Sequence, residues 1–568
     1  MEDSYLASTK ALDVPYITYP ELLKRRASET PEKAVYVFID GENRRTVLTF
    51  GELYTKSAKF AKNLVHLGVK NNVIVGLSGR NVPEWLIANF GIQLAGGCPL
   101  YLTFYRKDGN DIVDLFRSVG NVKLLIFDPG LEEQNCAIVS KILEKISSLG
   151  KIDSNSVSTP EHVISFHSCD HLSFNHSMSD FYSDVDAELP RLDPEDLGGI
   201  FLSSGSMGIP KAIPHSHNAI VIMAHQYTFG VSTKHNQEDI LYNDRKFSWS
   251  AGYPLWEIVS GGTRVVATHS FGSSSLAVLA DTVSDIIQRE NVTCAVLVPP
   301  VIDQLLKVDS PIKLKSIVIL GVVGCPSVLS CVGKICDELA DMYGMTEFGG
   351  LATGFYSADD VKNFKEKVLS VRPFPGVELK VTDENGYLVP VRQRGQIQVR
   401  SRKRFTGYLN HQSPLIENML RTGWLNSEDG GFVTEEGSLV VEGRIKGLLQ
   451  VYGIKIYPFQ IENVMKYRNT ISNVVVIPVV EKSTQYHVPC AAVIYHQGCN
   501  DTTENIQDFV REAFSVSKED KLLEPLYVPQ VVIEFKEFPL TSSGKPDRHA
   551  IAEAVRHKLD STKYDYIH

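Results

Sequence analysis

The sequence predicts an α/β protein. A large N-terminal domain of parallel-type βα sheets, closed by a small antiparallel sheet, precedes a small α+β C-terminal domain. Three observations predict this. Apolar strand-like runs alternate with helically spaced segments from Ala34 to Leu320, the pattern of parallel sheets covered by helices. From residue 374 the texture changes to short alternating strands joined by Asp383-Glu384-Asn385-Gly386, a turn signal for an antiparallel sheet. After Arg444 a fresh series of helix and strand signals begins, long enough to fold alone. A chain of 568 residues is also too long for one ordinary core. The predicted boundaries are 1–444, with 374–444 as the antiparallel sub-region, and 445–568.

Residues 1–20 read as a lead-in. Tyr19 to Ala27 reads as a short helix, and Ala34 to Phe38 as a strand closed by the turn Asp40-Gly41-Glu42-Asn43. Phe50, Leu53, Ala58, Ala61, Leu64 and Val65 recur at helical spacing between Thr49 and Leu67. Val73 to Leu77 is a strand and Pro83 to Leu94 a helix; Leu124 to Phe127 and Ile138 to Ile146 repeat the pair. The polar stretch 150–160 is a loop. Strands are expected at Cys294 to Val298 and Ile317 to Leu320, then a helical segment containing Leu339 and Met342. In the last unit a helix is expected around Ile461 to Tyr467, strands at Val474–Val479 and Ala491–Tyr495, and a helix at Ile506 to Phe514. No internal repeat or low-complexity tract is visible.

Composition narrows the function. A hydrophobic fraction of 43% and a charged fraction of 22% are those of a soluble globular protein. A net charge of −10 argues against a nucleic-acid binder, which needs a basic face. No apolar run approaches the length of a membrane span. The N-terminal stretch lacks the pattern of a signal peptide, and the last residues are not a peroxisomal tripeptide. Nine cysteines without a C-x-x-C pair fit reduced thiols, and a cytoplasmic protein is expected. Cys331 and Cys336, the closest pair, read as core or surface residues rather than metal ligands.

The stretch around which the chain is organised runs from Ile200 to His217. Ile200-Phe201-Leu202 reads as the end of a buried strand. Ser203, Ser204, Gly205, Ser206, Met207 and Gly208 then form an uncharged loop of hydroxyls and glycines, with Lys211 just beyond. Successive N–H groups in such a loop make a concavity for anions, and an adjacent lysine adds a point charge. Either a phosphate cradle or a Ser/Gly surface turn satisfies this composition. It is not the Walker pattern, because Pro210 stands immediately before the lysine. Further on, Tyr343-Gly344-Met345-Thr346-Glu347 offers a hydroxyl for a phosphate oxygen and a carboxylate for Mg²⁺, which takes one or two carboxylates plus phosphate oxygens. Taken alone, a helix end capped at Gly344 with solvated Thr346 and Glu347 is the more ordinary reading of this stretch. Asp429 could accept both hydroxyls of a ribose, or be an ordinary loop aspartate.

Together and in order, these stretches resemble the adenylate-forming superfamily, which includes acyl-CoA synthetases, coumarate-CoA ligases, beetle luciferases and nonribosomal adenylation domains. The matches are S-S-G-S-x-G-x-P-K at 203–211, Y-G-x-T-E at 343–347, T-G-W with Asp429, G-R-x-K at 443–446 followed by G-I-K-I-Y-P-F-Q-I-E, and P-x-T-x-x-G-K-x-x-R ending at Arg548. Gly407-Tyr408-Leu409-Asn410 and the stretch from Gly321 to Pro326 also stand in the expected order. The resemblance implies that Ser203, Ser204, Gly205, Ser206, Gly208 and Lys211 bind the ATP phosphates and that Tyr343 flanks adenine. It implies that Thr346 contacts the α-phosphate, that Glu347 holds Mg²⁺, and that Asp429 and Arg444 contact ribose. Lys545 would bridge the substrate carboxylate and α-phosphate, and a mobile C-terminal domain would turn about Lys446 and Gly447.

The departures matter equally. Met207 stands where a hydroxyl usually grips the β,γ-phosphates; losing a hydrogen bond to a charged group costs about 1.5–3 kcal/mol. Ala212 replaces a glycine, Gly447 replaces the usual Asp or Lys at the hinge, and Gln450 stands where a lysine is common. Arg394-Gly395-Gln396 lacks the usual acidic residue. Phe247-Ser248-Trp249-Ser250-Ala251-Gly252-Tyr253 replaces a histidine-containing segment, which argues against light emission or an aryl substrate. Trp249 and Tyr253 are candidate walls of an acyl pocket, aromatics in such a run also being ordinary core. His217 reads as surface, and His215 is left open.

The resulting expectation is an AMP-forming acid–thiol ligase, an acyl-CoA synthetase of a fatty or other apolar acid. Its small-molecule partners are the acid, ATP, Mg²⁺ and coenzyme A. The alternatives are an adenylating enzyme with another acceptor and a nucleotide- or acyl-binding relative that has lost turnover.

Overall fold

A computed structural model of the protein describes all residues except 1–2, 104–108, 131–132, 153–159, 169–174, 204–209, 269–275, 308–311, 321–325, 365–368, 404, 410–413, 446–448, 452–453, 457, 483–486, 515–526, 541–545, 560–563 and 567–568. The chain divides into two compact units. The larger comprises Leu6–Leu379 with Val399–Leu425, and the smaller Met1–Tyr5, Lys380–Gln398 and Asn426–His568. In this division residues 380–398 and 426–444 group with the C-terminal residues.

The larger unit contains a seven-stranded and a nine-stranded sheet. In the first, Cys98–Leu102, Ile74–Ser78, Val122–Phe127, His162–Ser165 and Asn175–Ser177 run parallel. Leu197–Ser203 joins Cys98–Leu102 in parallel, and Lys211–Ser216 closes that edge antiparallel. In the second, six strands from Ala34–Ile39 to Cys336–Met345 run parallel, with antiparallel Arg45–Thr49 and Gly349–Ser357 beside the end strands. This is the fold class the alternation predicts.

The helices start where their sequences say. Thr49 caps Phe50–His66 in a reciprocal box with Glu52, and Pro83 opens Pro83–Leu94 at a position where its missing N–H is harmless. Pro83–Leu94 and His217–Val231 are buried almost all round, as expected of helices enclosed on both sides. His217–Val231 packs on strands of both large sheets, including Leu197–Ser203 and Gly349–Ser357.

One segment departs from its expected structure. Leu339 and Met342 lie in the strand Cys336–Met345, not in a helix. The strand is paired on both sides and mostly buried on both faces, so its apolar residues run together. Periodicity cannot distinguish such a run from a buried helix. The thiols need a correction as well: Cys136 is disulfide-bonded, while Cys98, Cys294, Cys331, Cys336, Cys490 and Cys499 are free. Cys331 and Cys336 are buried, their sulfurs 3.5 Å apart.

The smaller unit holds most of a five-stranded sheet, which includes Leu425–Val433 and Leu439–Arg444, and a four-stranded sheet centred on Ile471–Glu481 and His487–Tyr495. Helices Pro458–Met465, Thr503–Phe514 and Arg548–Leu559 belong to it. Ile461, Val476, Val493 and Ile506 form one apolar cluster; Ile477, Val479, Ile551 and Val555 form another.

Candidate active site

Leu197–Ser203 and Lys211–Ser216 form a hairpin in which Lys211 pairs with Ser203 and the buried Ala212 with Leu202. The loop candidates Ser204, Gly205, Ser206 and Gly208, with Met207, lie outside the described residues; Ser203 and Lys211 are its flanks. On the free edge of the hairpin lies Gly407-Tyr408-Leu409, where the Leu409 N–H donates to the Ala212 carbonyl at 3.0 Å. Gly407 adopts φ +116°, a conformation that glycine permits and side chains resist. Phe405 packs edge-on against the Tyr408 ring at 5.3 Å. Thus held, the Tyr408 ring lies 5.0 Å from Lys211 Nζ, and its hydroxyl donates to Glu347 Oε1 at 2.7 Å.

Glu347 stands in the tight turn between Cys336–Met345 and Gly349–Ser357, closed by the Phe348 N–H to the Met345 carbonyl at 3.1 Å. The register slips between Tyr343 and Gly344. A Cβ on Gly344 would lie 2.4 Å from the Gly349 carbonyl oxygen, so this approach of two backbones requires glycine. The turn brings Thr346 and Glu347 together with the Lys211 hairpin, because His215 Nε2 lies 2.9 Å from the Thr346 carbonyl. A carbonyl can only accept, so Nε2 carries the proton and Nδ1 of the neutral ring is an acceptor.

Two further groups are buried here. Lys403 and His215 are each only 1% exposed, and among the described residues neither Lys403 Nζ nor His215 Nδ1 has a hydrogen-bond partner. Burial pulls the Lys403 amine well below the usual lysine range, partly offset by the Glu347 charge. Burial, then the Lys403 charge, lowers His215 well below an ordinary histidine, against the bond to Thr346. His217 is a correction: it is 1% exposed rather than on the surface, and burial pushes it down to about 4. It opens the helix His217–Val231, which the Ser216 hydroxyl caps through the Ala219 N–H.

The acyl-wall candidates differ. Tyr253 is fully buried, and its hydroxyl accepts from Tyr101 (2.9 Å), Gln93 (3.0 Å) and Asn89 (3.2 Å), so it is a core residue inside a polar network. Burial pushes it up to about 12. Trp249 is half-buried, with Lys246 Nζ 5.4 Å from its ring. The Phe201 ring lies 5.0 Å from Tyr253 and 5.4 Å from His215, so a run of packed, buried rings leads from Tyr253 to the Thr346 turn.

In the smaller unit, Asp429 and Arg444 sit opposite each other in antiparallel register, with Arg444 Nε 3.3 Å from Asp429 Oδ1. Arg444 also donates to the Ser427 carbonyl at 2.7 Å. Lys545, Lys446 and Gly447 lie outside the described residues. The flanks of the Lys545 segment are closed by a bridge between Leu540 and Pro546 and by the Asp547 N–H to the Pro539 carbonyl at 2.8 Å. Arg548 then anchors the last helix, donating to the Val476 carbonyl at 2.9 Å and pairing with the buried Glu462.

Of these residues, Tyr408 entered the sequence reading only as part of a motif, and Lys403 not at all. Lys403 stands in Ser401-Arg402-Lys403-Arg404, which reads as a charged surface run and gives no sign of a buried amine.

Comparison with known proteins gives the class. The model of a family described as AMP-binding enzyme matches residues 23–409. The chain belongs to that family, and so to the adenylate-forming superfamily of ligases. A 4-coumarate-CoA ligase 1 of Narcissus pseudonarcissus is 24% identical over 497 residues, covering 83% of this chain and 84% of the relative. A 4-coumarate–CoA ligase 1 of Solanum tuberosum is 23% identical over 502 residues, covering 83% and 84%. Among solved structures, the anthranilate CoA ligase AuaEII in complex with anthranoyl-AMP superposes with a TM-score of 0.77 at 20% identity, over 97% of this chain and 100% of that one. The amide bond synthetase McbA from Marinactinospora thermotolerans gives 0.71 at 21%, over 94% and 99%. At such identities the structural likeness bears on fold alone. Among the described residues no helix is long and apolar enough to cross a membrane.

Proposed function

We propose that the chain is an AMP-forming acid–thiol ligase, joining an apolar carboxylic acid to coenzyme A through an acyl-adenylate. The observation that carries this is the cluster of Lys211, Tyr408, Glu347 and Thr346, which gathers a cation, a carboxylate and a hydroxyl-bearing turn around one hairpin. The curated relatives, 4-coumarate–CoA ligases, favour coenzyme A as the acceptor.

Lys211 and the 203–208 loop bind the triphosphate. Glu347 suits Mg²⁺: it is a single carboxylate with one oxygen tied to Tyr408, and among the described residues no cluster of three ligating side chains surrounds it. One carboxylate plus phosphate oxygens is a normal set for that ion. When bound, Mg²⁺ neutralises charge on the phosphates as pyrophosphate leaves. The acid's carboxylate oxygen attacks the α-phosphorus, the bond to pyrophosphate breaks, and Lys545 stabilises the charge that develops. Tyr343 flanks adenine, and Asp429 and Arg444 hold the ribose. The coenzyme A thiol then attacks the acyl carbon and AMP departs. Trp249 borders the acyl site. In this reading residues 445–568 form a domain that turns about Lys446 and Gly447 between the two steps.

The test is thioester formation. Purified protein with MgATP, coenzyme A and a panel of acids should yield an acyl-CoA and AMP by liquid chromatography–mass spectrometry. AMP and pyrophosphate without thioester would move the reading to another acceptor.

A further inference from the structure

One strand holds the Thr346–Glu347 turn at two points. Along Lys211–Ser216 the residues Lys211, Ile213 and His215 alternate onto one face, and the pairing with Leu197–Ser203 is regular from Lys211 to His215. At the first point the Leu409 N–H bonds the Ala212 carbonyl, Lys211 Nζ lies over the Tyr408 ring, and the Tyr408 hydroxyl donates to Glu347 Oε1. At the second, His215 Nε2 donates to the Thr346 carbonyl at 2.9 Å. That carbonyl belongs to the planar peptide joining Thr346 to Glu347. Fixing it fixes the directions in which both side chains leave the backbone. The turn's own closing bond runs from the Phe348 N–H to the Met345 carbonyl and leaves the Thr346 carbonyl to His215.

The surroundings of His215 suit a donor and not a proton shuttle. The ring is 1% exposed and packs 5.4 Å from the Phe201 ring. Its one proton sits on Nε2, because a carbonyl can only accept. A second proton would go to Nδ1, which is buried and has no hydrogen-bond partner among the described residues. Burial accordingly lowers the ring well below an ordinary histidine, and it is neutral at pH 7. We propose that His215 is a positioning residue: its Nε2–H orients the Thr346–Glu347 peptide so that the Thr346 hydroxyl and the Glu347 carboxylate face the magnesium-bound triphosphate together. This rests on the adenylation reading above and names the residue that holds its metal- and phosphate-binding turn.

The experiment compares wild type with His215→Phe and His215→Leu, which lack the donor, and with His215→Gln, whose amide N–H can serve the same carbonyl. Circular dichroism checks that each is folded. Calorimetric titration with ATP, in Mg²⁺ and in EDTA, reads the turn without any acid. ATP–pyrophosphate exchange with an accepted acid reads kcat and both KM values. A misplacement of about 1 Å among reacting groups costs about 100-fold, so kcat should fall about 10- to 100-fold in His215→Phe and His215→Leu, with the acid KM within about twofold of wild type. The gain in ATP affinity that wild type draws from Mg²⁺ is lost in the same two variants, and His215→Gln recovers both properties. A merely structural histidine would lower the melting temperature and leave kcat and the Mg²⁺ gain untouched; that result overturns the inference. Loss in His215→Gln as complete as in His215→Leu also overturns it, since packing or proton transfer then matters and the donor does not. Wild-type exchange with no acid at all removes the adenylation reading, while the calorimetric comparison still decides the role of His215. A wild type that binds ATP equally well in Mg²⁺ and in EDTA overturns that role too.

Discussion

Asp341 offers a sharp test of the packing around the site. It lies on Cys336–Met345, two residues before Tyr343 and on the same face, in register with Ile319 and Gly354. It is 4% exposed, and burial alone raises its carboxyl from 3.8 to about 7. A folded-state value above the unfolded one means that the folded chain holds the proton between about pH 4 and 7. Stability therefore falls as pH rises through that window and is lowest above it. A shift of about three units at 1.36 kcal/mol each gives a penalty of about 4 kcal/mol at pH 8, and under about 2 kcal/mol at pH 5. Asp341→Asn keeps the shape and removes the charge. Equilibrium urea unfolding of both proteins at pH 5, 6.5 and 8 should show the variant gaining on wild type as pH rises, by about 2–3 kcal/mol across the range. Parallel stability curves over that range would refute a desolvated carboxyl at this position.

Two other substitutions probe the site directly. Tyr408→Phe keeps the ring beneath Lys211 and removes the 2.7 Å hydrogen bond to Glu347. A hydrogen bond to a charged group is worth about 1.5–3 kcal/mol, so KM for MgATP should rise roughly 10- to 100-fold with little change in melting temperature. Steady-state kinetics and thermal unfolding measure the two sides of that statement. Gly344→Ala forces a Cβ against the Gly349 carbonyl at 2.4 Å. It should cost about 1–3 kcal/mol in urea unfolding and displace the Thr346–Glu347 turn, abolishing turnover.

Much of the fold was legible because the elements obey local rules. Pro83–Leu94 was read with its exact bounds from an N-terminal proline and an apolar run. The antiparallel texture after residue 374 was read from a turn. The strand through Leu339 was not legible, since burial on both faces erases the alternation that marks a strand. Within the candidate site, motifs single out Lys211, Thr346 and Glu347 along the sequence, whereas nothing singles out a residue distinguished only by its burial. His217 and Lys403 are polar side chains in polar surroundings along the chain, yet both are enclosed in three dimensions. No local pattern encodes that. Tyr408 reaches Glu347 because Gly407-Tyr408-Leu409 lies along the edge of a hairpin formed almost two hundred positions earlier in the chain, at Leu197–Ser203 and Lys211–Ser216. The Asp429–Arg444 pairing is likewise a matter of strand register.

The central claim is that this chain adenylates a carboxylic acid. The most direct measurement is carboxylate-dependent ATP–pyrophosphate exchange across acids from acetate to palmitate with aromatic and hydroxy acids included, run on wild type and on Lys545→Ala. The account predicts exchange with one class of acid, lost in Lys545→Ala while nucleotide binding persists. Nucleotide binding without exchange for any acid would contradict it and point to a relative that has kept the fold and lost the reaction.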